Sequence, residues 1–447
     1  MQGSIAEHAA EESGSEKLDP SPLSAEEVES RARHANSFVI GLTGPFGSGC
    51  TTAAHMLADG EPTFRKVKLS DVLRQLGGDG SRGNLQDLGN KIRQIEGNEA
   101  LVARGLANVL VEDPPERIVI DGIRNLGEVR WLQHALGDRF ALFAITADPT
   151  ERYARTKGLF GSSEEFYEAD RRDQGEEEDY GQQVNRCVDY ADVLIPNEHM
   201  EQWEYQSKLR EKVVGFAALV EGREVRYATP EEMLMNVAYS ATHGSRCLKR
   251  QVGAVIAFGD EPLASGYNEN PKGLKPCIEE FEACFRDIVR HERYEGLATA
   301  AAKCPYCGEQ MQHGLKPPWR CPECQRKLDD AFFPDRAMKW CTALHAEERA
   351  IITAGGQDLR DATIYTTTFP CTLCAEKIIH AGIRDVVYVE AYPDIHAEVL
   401  FKAAKVETRR FEGVRSRNFE RYFAPIQPIM ERRGEETIRK MIDLPGS

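Results

Sequence analysis

Short apolar runs alternate with longer stretches of helical periodicity in the first half of the chain. Runs of this length and composition are typical of strands that are buried on both faces. A Gly-rich turn after the first run leads into a helical stretch that begins at Thr51. Because buried strands alternate with helices, we predict an α/β domain with a doubly wound parallel sheet over residues 36–222. The three runs are residues 37–43, 117–121 and 140–146.

The pattern changes in the second half, where a helix precedes two strands in hairpin order. Three further helices and three further strands follow a long excursion, so we predict a mixed five-stranded sheet flanked by helices, an α/β/α domain over residues 228–432. The excursion, residues 270–340, is too long for a plain loop and is predicted to be an insertion with a core of its own. The predicted helices are 230–243, 345–355, 371–383 and 395–404, and the strands are 252–258, 263–267, 362–368, 385–391 and 406–411.

The beginning of the chain is polar and rich in Ser and Glu, which predicts a disordered tail over residues 1–35. It has neither the basic start nor the apolar core of a signal peptide, and no later stretch is long enough to span a membrane. The net charge of −16 argues against a general nucleic-acid binder, because such binding depends on basic side chains that neutralise phosphates. Composition therefore favours a small-molecule substrate over a polymer.

Six of the twelve cysteines fall in three C-x-x-C pairs: Cys304 with Cys307, Cys321 with Cys324, and Cys371 with Cys374. In a chain without a secretory signal this spacing indicates metal binding, and we expect a cytoplasmic protein.

The most specific pattern is His345-Ala-Glu347 followed by Pro370-Cys371-Thr-Leu-Cys374, which matches the H-x-E…P-C-x-x-C pattern of zinc nucleobase deaminases. Cys371 and Cys374 are three residues apart in the first turn of a predicted helix, so their thiolates point the same way. With His345 they would supply three zinc ligands and leave one position for a water, whose pKa the metal lowers to about 7. Glu347 is predicted to carry protons without ligating zinc. A closed zinc site with a fourth ligand is the alternative.

Two further segments resemble the opening of deoxycytidylate deaminases: residues 247–256, and residues 266–271 with the sequence Gly-Tyr-Asn-Glu-Asn-Pro, followed by Gly273. The resemblance covers about residues 230–420. It implies that Asn268 contacts the deoxyribose and that backbone groups around Ala346 read the edge of the base. A turn-forming role for Asn268 remains the alternative.

Within the predicted insertion, the four cysteines Cys304, Cys307, Cys321 and Cys324 form two C-P-x-C knuckles. Four thiolates close a tetrahedral zinc site, so this one is predicted to be structural. A redox pair is the alternative.

A glycine-rich loop, residues 44–51, follows the first predicted strand and opens a helix, as a P-loop does. Its backbone amides would cradle phosphates, and Thr51 would bind Mg²⁺. Cys50 occupies the place of the usual lysine, so phosphoryl transfer would be weakly supported and we predict nucleotide binding. The candidate nucleotide-binding residues are Gly44, Gly47, Ser48, Gly49, Cys50, Thr51, Thr52 and Asp121.

The rest of this domain resembles P-loop deoxynucleoside monophosphate kinases, in which arginines contact phosphates. The matching arginines are Arg74, Arg124, Arg152, Arg155, Arg171 and Arg172, although each alone is more consistent with a solvated surface residue.

A kinase-like P-loop domain joined to a deoxycytidylate-deaminase-like domain resembles the bacterial anti-phage dCTP deaminases. The resemblance implies zinc-dependent deamination of dCTP, and also of dCMP, with depletion of the dCTP pool during infection. It further implies a homo-oligomer and, in some members, an inhibitory RNA. Because a loop with Cys50 in place of lysine would bind a nucleotide without rapid turnover, we also predict that the nucleotide at the P-loop is regulatory. Three alternatives remain: a housekeeping dCMP deaminase with a regulatory fusion, an RNA or tRNA base deaminase, and a nucleotide-sensing switch with an inert zinc domain.

Overall fold

The computed structural model describes residues 23–110, 114–176, 178–198, 202–299, 303–310, 312, 320–324, 326, 328, 341–390 and 394–423. Two units divide the chain. Unit 1 combines Met1–Tyr227 with Glu412–Ser447, and unit 2 is Ala228–Phe411. The strands in chain order are β1 (Phe38–Thr43), β2 (Arg65–Lys68), β3 (Arg117–Ile123), β4 (Phe140–Thr146), β5 (Val193–Pro196), β6 (Gly253–Phe258), β7 (Glu261–Tyr267), β8 (Thr363–Thr368), β9 (Asp385–Glu390), β10 (Glu407–Arg410) and β11 (Gly413–Val414).

The six-stranded sheet of unit 1 has the order β11-β5-β4-β1-β3-β2. The strands from β2 to β5 pair in parallel, and β11 pairs antiparallel with the outer edge of β5. Strands β1, β3 and β4 are buried along nearly their whole length, because helices cover both faces of a parallel sheet. The predicted α/β architecture is confirmed here. The helices of unit 1 are Ala25–His34, Cys50–Ala58, Leu69–Gln75, Arg82–Glu96, Ala100–Ala107, Leu126–Leu136, Pro149–Thr156, Ser163–Gln174, Val184–Asp189, Gln202–Val220 and Phe419–Phe423, with 3-10 turns at Gly137–Arg139, Lys157–Leu159 and Ser416–Asn418.

Two predicted boundaries are wrong. The tail predicted over residues 1–35 contains the helix Ala25–His34, and residues 1–22 lie outside the described residues. Ser24 caps this helix in a reciprocal arrangement with Glu27, which satisfies backbone donors that a helix start leaves open. The second predicted domain, drawn to residue 432, ends at Phe411, because β11 pairs with β5 and so belongs to unit 1.

Unit 2 is built on a mixed five-stranded sheet, as the sequence predicts. The order of the strands is β10-β9-β8-β6-β7. Strand β6 is antiparallel to β7 and β8, whereas β8, β9 and β10 run parallel. The hairpin turn is shorter than predicted, since β7 begins at Glu261. The helices of unit 2 are Pro230–Thr242, Cys277–Glu280, Phe285–Thr299, Ala346–Thr353, Thr372–Ala381 and Ile395–Ala403. Among the described residues, no helix combines the length and apolar character needed to cross a bilayer.

Candidate metal centre and nucleotide sites

Two helix starts in unit 2 hold the predicted metal ligands. His345 is the N-cap of the helix Ala346–Thr353, and Cys371 is the N-cap of the helix Thr372–Ala381, which follows β8. Neither side chain makes an N-capping hydrogen bond, so both are available to a ligand. Helix N-termini favour negative charge, which suits thiolates at Cys371 and Cys374.

The three predicted ligands converge. The Nδ1 atom of His345 lies 3.1 Å from Sγ of Cys374 and 3.4 Å from Sγ of Cys371. All three ligand atoms lie within 4.8 Å of one another. The hydrogen bond with Cys374 lowers the pKa of the Cys371 thiol to about 4. One imidazole and two thiols at this spacing fit Zn²⁺, which is bound by nitrogen and sulfur ligands in tetrahedral sites.

Glu347 lies beside this group and is 4% exposed. The Cys374 thiol donates a hydrogen bond of 3.5 Å to Oε2 of Glu347. Burial raises the pKa of the Glu347 carboxyl above its ordinary value, because a charged carboxylate is disfavoured away from water. The helix Ala346–Thr353 therefore presents both a ligand and an adjacent carboxyl group from its first turn.

Asn268 is buried and serves the fold around it. Its Oδ1 accepts hydrogen bonds from the Ser245 hydroxyl and the Val252 backbone amide, each at 2.8 Å. Its Nδ2 donates to the Arg250 carbonyl at 2.8 Å. An amide nitrogen carries two hydrogens, and among the described residues Nδ2 has no second acceptor, so one hydrogen can serve a substrate hydroxyl. Ala346 is fully buried in the first turn of its helix, next to β7, and its predicted contact with a base stays a prediction.

Asp394 positions the cysteine helix, and sequence reasoning missed it. Its carboxylate accepts from the backbone amide and the hydroxyl of Thr372, at 2.9 and 2.8 Å, and also from the Ala397 amide at 3.2 Å. It thus caps two helices at once, one of which has Cys371 as its N-cap residue. An Asp before a helical stretch signals a local cap, but nothing in the sequence signals the second helix.

A charged clamp joins the helix of His345 to the end of β7. Glu269 and Leu344 exchange two backbone hydrogen bonds, of 3.2 and 2.9 Å. The Glu269 carboxylate also accepts a 2.6 Å hydrogen bond from Arg349, whose guanidinium lies 3.8 Å from the centre of the Tyr267 ring. The clamp fixes Asn268 and His345 relative to each other, since each is the chain neighbour of a clamped residue.

The second cysteine group also converges. Sγ of Cys304 lies 3.8 Å from that of Cys324, and Sγ of Cys307 lies 3.5 Å from that of Cys321. All four sulfur atoms lie within 4.8 Å of one another. Each knuckle is closed by a backbone bond to the first cysteine, Cys304 N to Glu309 O at 2.7 Å and Cys321 N to Arg326 O at 3.0 Å. Four thiols in this arrangement fit a closed zinc site.

The glycine-rich loop of unit 1 connects β1 to the helix Cys50–Ala58. Gly44, Gly47 and Gly49 have φ of 150°, 80° and 112°, a region that favours glycine. Thr51 donates a 2.8 Å hydrogen bond to Asp121, and burial raises the pKa of the Cys50 thiol to about 12. These φ values explain why glycine occupies the three positions, and phosphate binding by the loop stays a prediction.

The residues proposed for nucleotide binding lie in the loop or next to it. Gly44, Gly47, Gly49, Cys50, Thr51, Thr52 and Asp121 line one cavity. Ser48 is fully buried, and its carbonyl accepts a 2.6 Å hydrogen bond from Asn197.

The six arginines matched to phosphate contacts fall into three groups. Arg74, Arg124, Arg155 and Arg172 line the cavity next to the loop. Arg152 is 2% exposed and forms two hydrogen bonds, of 2.6 and 2.9 Å, with the buried carboxylate of Asp170. Both the phosphate-contact and the surface interpretations of Arg152 are therefore wrong, because its charge is already neutralised inside the fold. Arg171 is exposed and does not line the cavity.

Unit 2 is the part of the chain for which similarity to known proteins is found. Residues 228–390 match the family model described as "Cytidine and deoxycytidylate deaminase zinc-binding region". The deoxycytidylate deaminase of Schizosaccharomyces pombe is 30% identical over 183 residues, which are 40% of this chain and 44% of that protein. The enzyme of the same name from Saccharomyces cerevisiae is 28% identical over 183 residues, again 40% of this chain and 44% of that protein. The chain thus contains a deoxycytidylate deaminase-like domain.

The match leaves most of this chain uncovered, and the chain spans less than half the length of these two curated relatives. Among solved structures, the dCMP deaminase from the cyanophage S-TIM5 in complex with dCMP and dUMP is 18% identical, over 41% of this chain and 100% of that chain, with a TM-score of 0.25.

Proposed function

We propose that unit 2 hydrolyses the exocyclic amine of deoxycytidine nucleotides, dCTP and also dCMP, to give the deoxyuridine nucleotide and ammonia. The observation that carries this proposal is the convergence of His345, Cys371 and Cys374, whose ligand atoms lie within 4.8 Å of one another beside the buried Glu347. The family match over residues 228–390 supports it.

In this reaction the oxygen of water bonds to C4 of the ring, and the bond from C4 to the amine breaks. A zinc ion on the three ligands would supply Lewis-acid activation of that water. Glu347 accepts one proton of the water and passes it to the ring nitrogen, and then carries the remaining proton of the C4 hydroxyl to the leaving amine. Asn268 offers its free amide hydrogen to the sugar, and the charged clamp keeps it in register with His345.

The phosphorylation level of the substrate divides two versions of the proposal. The resemblance to anti-phage dCTP deaminases favours the triphosphate, whereas the relatives above are named for the monophosphate. Incubating the full chain with deoxycytidine, dCMP, dCDP and dCTP, with separation of the products, gives kcat/KM for each. We expect dCTP to be the best substrate. A clear preference for dCMP indicates a housekeeping deaminase, and absence of ammonia with all four contradicts the proposal.

We further propose that the reaction depletes dCTP during phage infection, and that unit 1 regulates it. Cells expressing the chain should lose dCTP and gain deoxyuridine nucleotides after infection, and Glu347→Gln should abolish both effects. Equal dCTP pools in cells with either version would contradict the role in defence. The resemblance to anti-phage dCTP deaminases also implies a homo-oligomer, which light scattering tests. It further implies an inhibitory RNA, which should co-purify with the chain.

The regulatory part rests on the glycine-rich loop, residues 44–51. We propose that it binds a nucleotide with Mg²⁺ near Thr51 and Asp121, without rapid phosphoryl transfer because Cys50 provides no cation. Gly49 has a φ of 112°, so Gly49→Glu both strains the loop and places a carboxylate where phosphate would bind. We expect this variant to lose nucleotide binding and to change deaminase activity in cells while its zinc content stays the same. Wild-type defence and deamination in Gly49→Glu would make unit 1 a passive scaffold.

A further inference from the structure

The glycine-rich loop opens into a cavity of unit 1 whose volume is about 1720 Å³. Small-molecule pockets are typically about 300–1,000 Å³, so the cavity has room for a whole nucleotide beside the loop. The loop forms one wall, and the helix Arg82–Glu96 contributes another. The two walls meet where the Arg82 guanidinium lies 3.7 Å from the centre of the Phe46 ring.

Two buried glutamines line the wall of this cavity. Gln86 is 6% exposed and Gln182 is 2% exposed. Among the described residues, neither Nε2 of Gln86 nor Oε1 of Gln182 has a hydrogen-bond partner. Buried polar atoms are almost always hydrogen-bonded, so this pair calls for a ligand or water. One atom is a donor and the other an acceptor, which is what the edge of a nucleobase requires, because bases present a donor and an acceptor side by side.

The spacing of these residues matches the length of a nucleotide. Gln86 lies one helical turn beyond Arg82, and Asn90 lies one further turn along the same helix. Gln182 comes from another segment, and its Nε2 donates a 3.2 Å hydrogen bond to Oδ1 of Asn90. Its side chain therefore lies beside this second turn of the helix. Since a helix rises about 1.5 Å per residue, the two glutamines lie about 6 to 12 Å along the helix from the contact with the loop. A base there is within reach of phosphates bound at residues 44–51.

The phosphate end of the cavity has a candidate for the missing cation. Lys68, at the end of β2, lines the same cavity and pairs in strand register with Asp121, whose carboxylate binds Thr51. No hydrogen bond or ion pair of its ammonium group is found within the described part of the chain. The arginines of the wall, in contrast, are each paired with a carboxylate: Arg74 with Asp71, Arg82 and Arg124 with Asp173, Arg93 with Glu128, Arg155 with Glu151, and Arg172 with Asp87 and Glu176.

We propose that this cavity binds one nucleotide in a fixed orientation, with its phosphates between the loop and Lys68 and its base between Gln86 and Gln182. The inference deepens the nucleotide-binding role proposed above for the loop and rests on it. Lys68 supplies positive charge for binding the phosphates from β2, outside the loop position that Cys50 occupies, whereas Gln86 donates to the base and Gln182 accepts from it. The deaminase residues of unit 2 take no part in this binding.

The test is titration calorimetry of the zinc-loaded full chain with dATP, dGTP, dTTP, dCTP and inorganic tripolyphosphate, each with Mg²⁺. Binding at the loop is identified by its loss in Gly49→Glu, which separates it from binding in unit 2. We expect at least one nucleotide to bind in this way. Gln86→Leu and Gln182→Leu should each weaken that nucleotide about tenfold, the effect of one hydrogen bond, and leave tripolyphosphate unchanged. Lys68→Met should weaken both ligands.

Matched variants keep the result interpretable. Gln75→Leu alters an exposed glutamine of unit 1 outside the cavity wall and should bind all ligands like the wild type. Gln86→Glu keeps the size of the side chain but removes the donor, so it should weaken the nucleotide as Gln86→Leu does even if that variant folds poorly. Unchanged nucleotide affinity in Gln86→Glu and Gln182→Leu would overturn the base contacts while the role of the loop stands. Absence of any binding sensitive to Gly49→Glu would overturn the loop proposal itself.

Discussion

The two cysteine groups of unit 2 fit the same metal but are built in different ways. His345, Cys371 and Cys374 lie on two helix starts held by the central sheet, next to a buried carboxyl group. The second group, Cys304 with Cys307 and Cys321 with Cys324, lies on two short knuckles closed by their own backbone hydrogen bonds. Cys307 is exposed, whereas Cys374 is 1% exposed.

These differences indicate which of the two groups can support catalysis. Three ligands leave a coordination position open, and Glu347 beside them can move protons, whereas four thiolates close the position. The first group is held by the fold whether or not metal is bound, since helices and sheet supply the framework. Among the described residues, the second group is closed by the backbone hydrogen bonds of its own knuckles, so a bound metal would itself stabilise it. Four experiments test this contrast.

The largest effect is expected from removing a ligand of the three-member group. Cys374→Ser should abolish deamination and lower the zinc content by one ion, because a buried hydroxyl cannot replace the thiolate. Weakening a metal site through its outer partners alone costs about 10- to 100-fold in affinity or activity, and a direct ligand matters more. Metal analysis alongside an ammonia assay checks this. Full zinc content in Cys374→Ser would mean that the ligand set is wrong.

Replacing the carboxyl group should separate chemistry from metal binding. Glu347→Gln should lower kcat on the order of 10²- to 10⁴-fold, the usual contribution of a general acid–base residue, with unchanged zinc content. Glu348→Gln is the matched control, because this neighbouring side chain is partly exposed and faces Lys377 at 3.6 Å. Equal losses in the two variants, or loss of zinc in Glu347→Gln, would contradict the assigned role.

The four-cysteine group should respond in stability more than in rate. Replacing Cys304 and Cys307 by Ser should remove one of two zinc ions and lower the thermal transition of the chain, because structural zinc contributes folding free energy. Deamination at low temperature should persist. Cys277→Ser, outside both groups, should leave the zinc count at two. A wild-type chain that holds only one zinc would indicate a thiol or redox pair at the knuckles.

The smallest effect is expected at the cap that the two helices share. Asp394→Ala removes three hydrogen bonds and should lower the free energy of unfolding by about 1–2 kcal/mol, the scale of a lost N-cap. A modest fall in activity should accompany it, because the start of the cysteine helix loses its support. Urea titration measures the change. Asp358→Ala, an exposed aspartate paired with Arg360, should be close to neutral.

Sequence reasoning was most successful where the signal is local. The apolar run of β4 predicts a strand with the observed bounds, Phe140–Thr146, because a strand buried on both faces allows few polar residues. The convergence of Cys371 and Cys374 follows from their spacing in one helical turn. The convergence of His345 with these cysteines was predicted from the H-x-E…P-C-x-x-C pattern. No local periodicity relates His345 to residues so much later in the chain.

What escaped prediction depends on contacts between distant segments. Asp394 caps the helix that begins 22 residues earlier, and the buried Gln182 meets Asn90 across 92 positions. Strand β11 has only two residues, too few to show any periodicity. The helix Ala25–His34 was different, since Ser24 and Glu27 form a recognisable capping box. This helix was nevertheless missed because its composition is mostly polar. Val28 and Ala32 are its buried residues, too few to give a clear apolar periodicity.

The pairing of β11 with β5 sets the order in which the protein can be completed on the ribosome. A nascent chain that has reached Tyr227 contains five of the six strands of the unit 1 sheet, and the edge of β5 waits for a partner until the whole of unit 2 has been synthesised. An unpaired edge invites pairing with other chains. A fragment cut after Phe411 keeps every residue assigned here to chemistry but lacks that last strand. Unit 1 made alone therefore needs the segment from Glu412 joined to Tyr227, since simple truncation leaves the edge of β5 without its partner strand.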